Sequence, residues 1–297
     1  MSQSFLGYYL YRVLGSVAPL LPPRLGYWFG SRLGVLAFCF NPRGAKTLKE
    51  NLSHVLGEEA NEPTIKSIAR EVFRNLSKNY FDLFHRHALG DDEASASVTI
   101  EGLHHIETVL AEGKGLILTT GHFGPFDALV HIAPSLNLRM TAPAEHLKPE
   151  KLYQYLCKLR ARDWITFLPV DGPLLGLFRA LRRGEIVAVA ADRDITASGI
   201  LVDFFGAPAR LPDGHVQLAL RTGAKIVTCF GLRQADNSSL LHIEPPLELD
   251  ETGDFERDVR VNVRKVVARM EEWIGRYPEQ WLMLHPIWQD AKHENGD

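Results

Sequence analysis

The first 49 residues contain no aspartate or glutamate; the first acid is Glu50. Over the same stretch there are six basic residues: Arg12, Arg24, Arg32, Arg43, Lys46 and Lys49. The rest of the chain carries 27 basic against 36 acidic residues. An acid-free segment is unusual for a solvated helical hairpin and suits a negatively charged surface. Cysteine is also scarce. Cys39, Cys157 and Cys229 are far apart and form no Cys-x-x-Cys pair, which excludes a disulfide framework and a structural zinc site and fits a reducing environment. No apolar run reaches the roughly 18 residues needed to cross a bilayer. Arg12, the Pro22-Pro23-Arg24 break and Arg32 interrupt the N-terminal one. No small-residue cleavage site follows it, so a signal peptide is not expected. There is no Walker loop and no Gly-x-Gly-x-x-Gly, and Glu112-Gly113-Lys114-Gly115 reads as a turn, which argues against nucleotide binding. A formal net charge of −3 over 297 residues gives no case for nucleic acid as a partner.

What the N-terminal stretch does have is aromatic residues: Tyr8, Tyr9, Tyr11, Tyr27, Trp28, Phe29, Phe38 and Phe40 among them. Tyrosine and tryptophan favour the water–lipid boundary, and basic side chains attract anionic headgroups. Two short amphipathic helices lying in a membrane interface account for both features. A plain packing role for these helices is the alternative.

Residues 1–90 read as helical, with Pro63–Leu89 showing apolar residues at helical spacing. After the polar break at Gly90–Glu93, apolar and amphipathic runs alternate. Expected strands are Ser97–Ile100, Gly115–Thr120, Arg139–Ala142, Thr166–Val170, Glu185–Ala190, Leu201–Phe205, Lys225–Leu232 and Leu240–Ile243. Expected helices between and after them are His105–Glu112, Asp127–Ala133, Pro149–Arg160, Leu175–Arg183, Gly214–Thr222 and Glu256–Tyr277. The alternation predicts an α/β fold: a mostly parallel, mixed sheet flanked by helices, preceded by a helical membrane-docking segment. The expected division is residues 1–90, an N-terminal helical appendage of the same domain, and 91–297, the α/β core.

Several candidate residues fall just after expected strands: His122, Glu145, and Asp192, Arg193 and Asp194. In open α/β sheets ligands bind beyond the carboxyl ends of the strands, so parallel strands would put these residues on one rim. His122 lies in Gly121-His122-Phe123-Gly124-Pro125-Phe126-Asp127, which reads as a turn and a helix start. A turn here would bring Asp127 towards His122. A carboxylate beside imidazole fixes its tautomer and stabilises the imidazolium, and the other nitrogen can then take a proton from an attacking hydroxyl. The His-x4-acid spacing alone is uninformative, because His54/Glu59, His87/Asp92 and His285/Asp290 share it. Only the His122/Asp127 pair sits between glycines after a buried-looking strand. The competing reading is a structural histidine beside an acid that stabilises a helix start.

This motif resembles the His-x4-Asp/Glu motif of the lysophospholipid acyltransferase superfamily. The wider pattern is closest to its bacterial lipid A biosynthesis acyltransferase branch, which includes lauroyl/myristoyl acyltransferases and phosphatidylinositol mannoside acyltransferases. The segments Ala144–Glu150, Asp192-Arg193-Asp194 leading to Val202–Gly206, and Leu218–Ala224 carry the likeness. The first two look more like the mannoside enzymes. The resemblance implies O-acyl transfer, with His122 as general base and Asp127 as its acidic partner. It further implies that Glu145 and Arg160 lie in the substrate groove and that the Asp192–Asp194 loop shapes the donor side. Some mannoside enzymes carry a further glutamate just before Phe-Phe-Gly; here Asp203 is the nearest acid. No cofactor is implied. The donor would be an acyl thioester of coenzyme A or acyl carrier protein, and the acceptor a glycolipid. The lipid A precursor and a lysophospholipid are alternative acceptors. The protein would sit on the cytoplasmic face of the membrane, peripherally or as a monotopic protein, with the bilayer as partner. Rival readings are a serine hydrolase, which lacks a Gly-x-Ser-x-Gly elbow; a metal hydrolase using His122, Asp127, His146 and Asp192; and a membrane-docking homologue that has lost the reaction.

Overall fold

The computed structural model describes residues 5–128, 130, 133–134, 136–160, 164–172 and 175–288. Four helices come first: α1 (Phe5–Val17), α2 (Pro23–Phe40), α3 (Pro42–Leu56) and α4 (Glu62–His87). Their starts follow from sequence. Proline stands in the first turn of α2, α3 and α4. The Asn41 side chain accepts from the Gly44 amide (3.0 Å), and that of Asn61 from the Thr64 amide (2.9 Å), so each caps the helix that follows.

Helix α2 lies unusually close to α4. It buries a narrow stripe at every fourth residue, Gly26, Gly30, Gly34 and Phe38. A Cβ at Gly34 would stand 2.5 Å from the Phe73 carbonyl oxygen, and one at Gly26 would stand 2.1 Å from the Phe81 ring. Larger residues would therefore push the helices apart. The rest of α2 faces outwards and is apolar. Leu25, Trp28, Phe29, Leu33, Leu36 and Phe40 are exposed, as are Tyr9, Leu10 and Val13 of α1. Monomeric proteins rarely leave so large an apolar patch uncovered. Among the described residues no helix is long and apolar enough to cross a membrane.

The short α5 (Asp91–Ser95) leads into the α/β part. Its order is β1 (Val98–Glu101), α6 (Leu103–Ala111), β2 (Leu116–Thr120), β3 (Met140–Ala144), α7 (Glu150–Arg160), β4 (Ile165–Pro169), α8 (Leu175–Arg182), β5 (Ile186–Ala190), β6 (Ile200–Phe204), β7 (Ala207–Leu211), α9 (Gly214–Thr222), β8 (Lys225–Arg233), β9 (Ser239–Ile243) and α10 (Phe255–Arg276). Seven strands form one sheet in the order β1-β9-β8-β2-β5-β3-β4. From β8 to β4 all neighbours are parallel; β9 runs against β8, and β1 runs with β9. The sheet is thus mostly parallel and flanked by helices, as the sequence predicts.

Strand β2 is buried along most of its length because both faces are covered. Ile117 packs with residues of α8, α9 and α10 on one face, including Leu181, Val216 and Val263. Leu116 and Leu118 pack with Ile106 and Val109 of α6 on the other. All eight expected strands are present within a residue or two. One strand was not expected: β7 pairs antiparallel with β6 in a separate hairpin turned at Phe205-Gly206. The expected helix Asp127–Ala133 falls in part outside the described residues. Ala128 is the first helical residue there, so Asp127 lies in the turn before it.

Candidate active site

Strands β2 and β5 are neighbours, and Thr120 is in register with Ala190. The Ala191 amide extends the ladder by donating to the Thr120 carbonyl at 2.8 Å. Two residues past each strand end stand His122 and Asp192. Equal steps beyond paired parallel strands bring the two side chains together. His122 Nδ1 lies 2.8 Å from Asp192 Oδ1, and the His122 backbone N–H donates to Asp192 Oδ2 at 2.7 Å. The Trp281 indole donates to the same Oδ2 at 3.0 Å. Asp192 and Trp281 are fully buried. Three donors replace the water that the carboxylate has lost. Gly121 leaves it room, since a Cβ there would come 3.0 Å from Asp192 Oδ2.

The turn carrying His122 is clamped by the chain near its C-terminal end. Leu282 N–H donates to the His122 carbonyl (2.8 Å), Gly124 N–H donates to the Gln280 carbonyl (2.7 Å), and Phe123 bridges Trp281. Gly124 has φ +52°, and a Cβ on it would come within 1.9 Å of the Gly231 carbonyl oxygen, so glycine is required at this point. Phe123 is fully buried against Phe230.

The electrostatics follow from this packing. Burial pulls the His122 imidazole down, but the Asp192 charge and its hydrogen bond outweigh that and hold it above the ordinary histidine value. Arg193 and Arg160 press the other way to a smaller degree. Burial pushes Asp192 up, yet His122, the Trp281 indole and the backbone N–H together hold it below the usual carboxylate range. Asp192 is therefore the ionised partner. It fixes a proton on Nδ1 and leaves Nε2 to accept one, on a side chain that is 31% exposed.

Asp127 is not the acid on His122. Its Oδ1 accepts from Arg160 Nε at 2.9 Å, and both side chains are largely buried. The expected pairing fails for a physical reason: the adjacent strand delivers Asp192 in register, while Asp127 is already engaged by α7. Glu145, after β3, meets Arg193 at 2.8 Å, so a residue expected in the groove and one expected on the donor side form one ion pair. Asp194 instead organises its own loop, accepting from the amides of Thr196 (3.1 Å) and Gly199 (2.7 Å). Asp203 closes the β6–β7 turn by accepting from Gly206 N–H at 3.1 Å. His146 contacts Glu150 at 2.6 Å. Among the described residues no three histidines, cysteines or acids gather as metal ligands would. The sequence reading missed Trp281, whose only signal was its being a tryptophan in a C-terminal segment without a strand or helix pattern.

The model of the bacterial lipid A biosynthesis acyltransferase family matches residues 2–290. The chain belongs to that family. It is accordingly an acyltransferase. Phosphatidylinositol mannoside acyltransferase of Mycobacterium tuberculosis (strain ATCC 25618 / H37Rv) is 30% identical over 259 residues, 82% of this chain and 77% of the relative. The protein of the same name from Mycolicibacterium smegmatis is 29% identical over 251 residues, 82% and 80% of the two chains. Lipid A biosynthesis lauroyltransferase of Escherichia coli (strain K12) is 25% identical over 279 residues, 89% and 85%. In this acyltransferase the His-x4-Asp motif thus splits into two pairs, His122 with Asp192 and Asp127 with Arg160.

Proposed function

We propose that the enzyme moves a fatty acyl chain from an acyl thioester to a sugar hydroxyl of a glycolipid at a membrane surface, with His122 as general base and Asp192 as the acid that orients it. The observation that carries this is the His122–Asp192 pair at 2.8 Å on the sheet's carboxyl rim. Nε2 takes the hydroxyl proton as the oxygen attacks the thioester carbonyl. The tetrahedral intermediate then expels the thiolate, which receives that proton. One ester forms, one thioester breaks, and no cofactor is required.

The acceptor class rests on the relatives, whose names specify a phosphatidylinositol mannoside and lipid A. The mannoside is the first choice, since those relatives are the more similar. Arg160 with Asp127, and Arg193 with Glu145, supply paired charges whose neighbours include His122, suited to orienting a polar headgroup. The exposed apolar face of α1 and α2, with Arg24 and Arg32 on the same elements, would seat the protein peripherally on the cytoplasmic face, within reach of an embedded acceptor.

The test is reconstitution. The full-length protein is incubated with vesicles carrying a phosphatidylinositol mannoside, a lipid A precursor or a lysophospholipid. Palmitoyl-coenzyme A or palmitoyl-acyl carrier protein is the donor, and products are read by mass spectrometry. Acylated mannoside with at least one donor is the expected result. Product only from the lysophospholipid would replace the acceptor class, and no product from any pair would remove the proposal.

A further inference from the structure

A buried polar network stands behind the His122 turn and takes no part in the chemistry described above. Arg233, near the end of β8, is buried with its guanidinium on the Asp82 carboxylate and on Asn79 Oδ1 (2.6 Å). Asp82 also receives the Tyr27 hydroxyl of α2 at 2.7 Å and Arg86 at 3.4 Å. Asn79, one turn before Asp82 on α4, turns its amide nitrogen to the Gly124 carbonyl at 2.6 Å. The backbone of Arg233 is engaged as well. Its N–H donates to Gln280 Oε1 (2.8 Å), and its carbonyl accepts from Gln280 Nε2 (3.2 Å). The Gln280 carbonyl in turn receives the Gly124 N–H. Both polar groups of Gly124, two residues from His122, therefore trace back to Arg233: one through the Asn79 side chain, the other through Gln280.

A buried amide can bridge two groups in one orientation only if both partners are fixed. Here Arg233 needs an acceptor and the Gly124 carbonyl needs a donor, so the Asn79 amide is held in one sense. We propose that Asn79, oriented by Arg233, is a positioning residue for His122: it fixes the Gly124 peptide and so the place of the imidazole against Asp192 and the substrate. The network reaches through Tyr27 to α2, so the helix with the exposed apolar face is bonded, through Asp82, Arg233 and Asn79, to the turn bearing the base. The functional part rests on His122 being that base.

The test uses the full-length protein and two variants. Asn79→Ala removes both bonds; Asn79→Asp keeps an acceptor for Arg233 and turns the donor to Gly124 into a carboxylate oxygen that repels its carbonyl. Three quantities are read: the melting temperature, the downfield NMR signal of the His122 Nδ1 proton, and kcat and KM on acceptor-loaded vesicles with a palmitoyl thioester. Folded variants should show a shifted or broadened Nδ1 signal. The kcat should fall about 10- to 100-fold, as expected when a reacting group is displaced by a fraction of an ångström, with KM changed little. A folded variant with an unmoved signal and wild-type kcat would overturn the proposal. Failure of both variants to fold would overturn it too, making Asn79 a folding residue. The NMR arm does not depend on the reaction, so absence of transfer by the wild type would remove the proposed function while the positioning of His122 is still judged.

Discussion

Asp192 holds His122 at two points: one carboxylate oxygen meets the ring at Nδ1, and the other receives the backbone N–H of the same residue. A single contact would leave the ring free to swing. Two contacts on one planar carboxylate set the ring, its tautomer and its main chain together. The buried Trp281 indole locks the carboxylate from behind.

This relationship predicts a pH profile. In the proposed role His122 takes a proton only when neutral, and Asp192 raises its pKa, so activity should climb through a midpoint above the ordinary histidine value of about 6.5. Asp192→Asn should move that midpoint down in whatever activity remains, because burial and the nearby arginines then act unopposed. The stability signs are opposite for the two partners. The share from His122, whose pKa is raised, is full below the unfolded histidine value and is lost as pH rises through its raised pKa. The share from Asp192, whose pKa is lowered, is present above the unfolded carboxylate value and is lost as pH falls through its depressed pKa. A rate–pH curve for the two proteins decides the point; coincident midpoints would contradict the coupling.

His215 gives a separate acid-stability prediction. It is buried in α9, neither ring nitrogen has a hydrogen-bond partner, and burial pushes its pKa down to about 4. The unfolded chain therefore binds a proton that the folded chain refuses, and stability falls as pH drops from about 6.5 towards that value, by on the order of 3 kcal/mol. Replacing His215 with methionine should flatten this loss. Denaturant unfolding at pH 7 and pH 4.5 measures it, and parallel losses in both proteins would show that His215 is not the cause.

The exposed apolar face of α1 and α2 makes a third prediction. Arg24→Gln with Arg32→Gln should weaken binding to anionic vesicles roughly tenfold to thirtyfold, at about 1 kcal/mol per basic residue near the surface, and high salt should erase most of the difference. Trp28→Ser should weaken binding to neutral vesicles too, because it removes apolar contact instead of charge. Sedimentation with both vesicle types separates the contributions. Unchanged binding of all variants would mean that the exposed face of α1 and α2 meets something other than lipid.

Strand identity was readable because each buried strand is a short apolar run between turn residues, as at Leu116–Thr120 and Ile186–Ala190. Strand order was not. Nothing local says that β5 lies beside β2, yet that adjacency brings Asp192 to His122 across 70 positions. Position on the shared rim was legible; the partner was not, and nearness in sequence favoured Asp127. Strand β7 escaped notice because Pro208 interrupts it, although Ala209 and Leu211 alternate inwards against β6. Asp203, singled out through the family likeness as the acid nearest Phe-Phe-Gly, serves a turn, a common task for aspartate. Asn79, Arg233 and Gln280 left no trace in the sequence, because a buried network draws single residues from distant elements.

The most direct test of the account is acyl transfer by Asp192→Asn and Asp127→Asn side by side, with His122→Ala as reference and a thermal melt on each. His122→Ala should remain folded and lose about 100- to 10,000-fold in kcat. Asp192→Asn should fall nearly as far, since an amide cannot stabilise the imidazolium, and should lose about 1–3 kcal/mol of stability through its disturbed buried hydrogen bonds. Asp127→Asn, which weakens the pair with Arg160, should act mainly on acceptor KM and retain the larger share of kcat. The reverse order, a near-wild-type Asp192→Asn beside an inactive, folded Asp127→Asn, would contradict the assignment of Asp192 as the acid that serves His122.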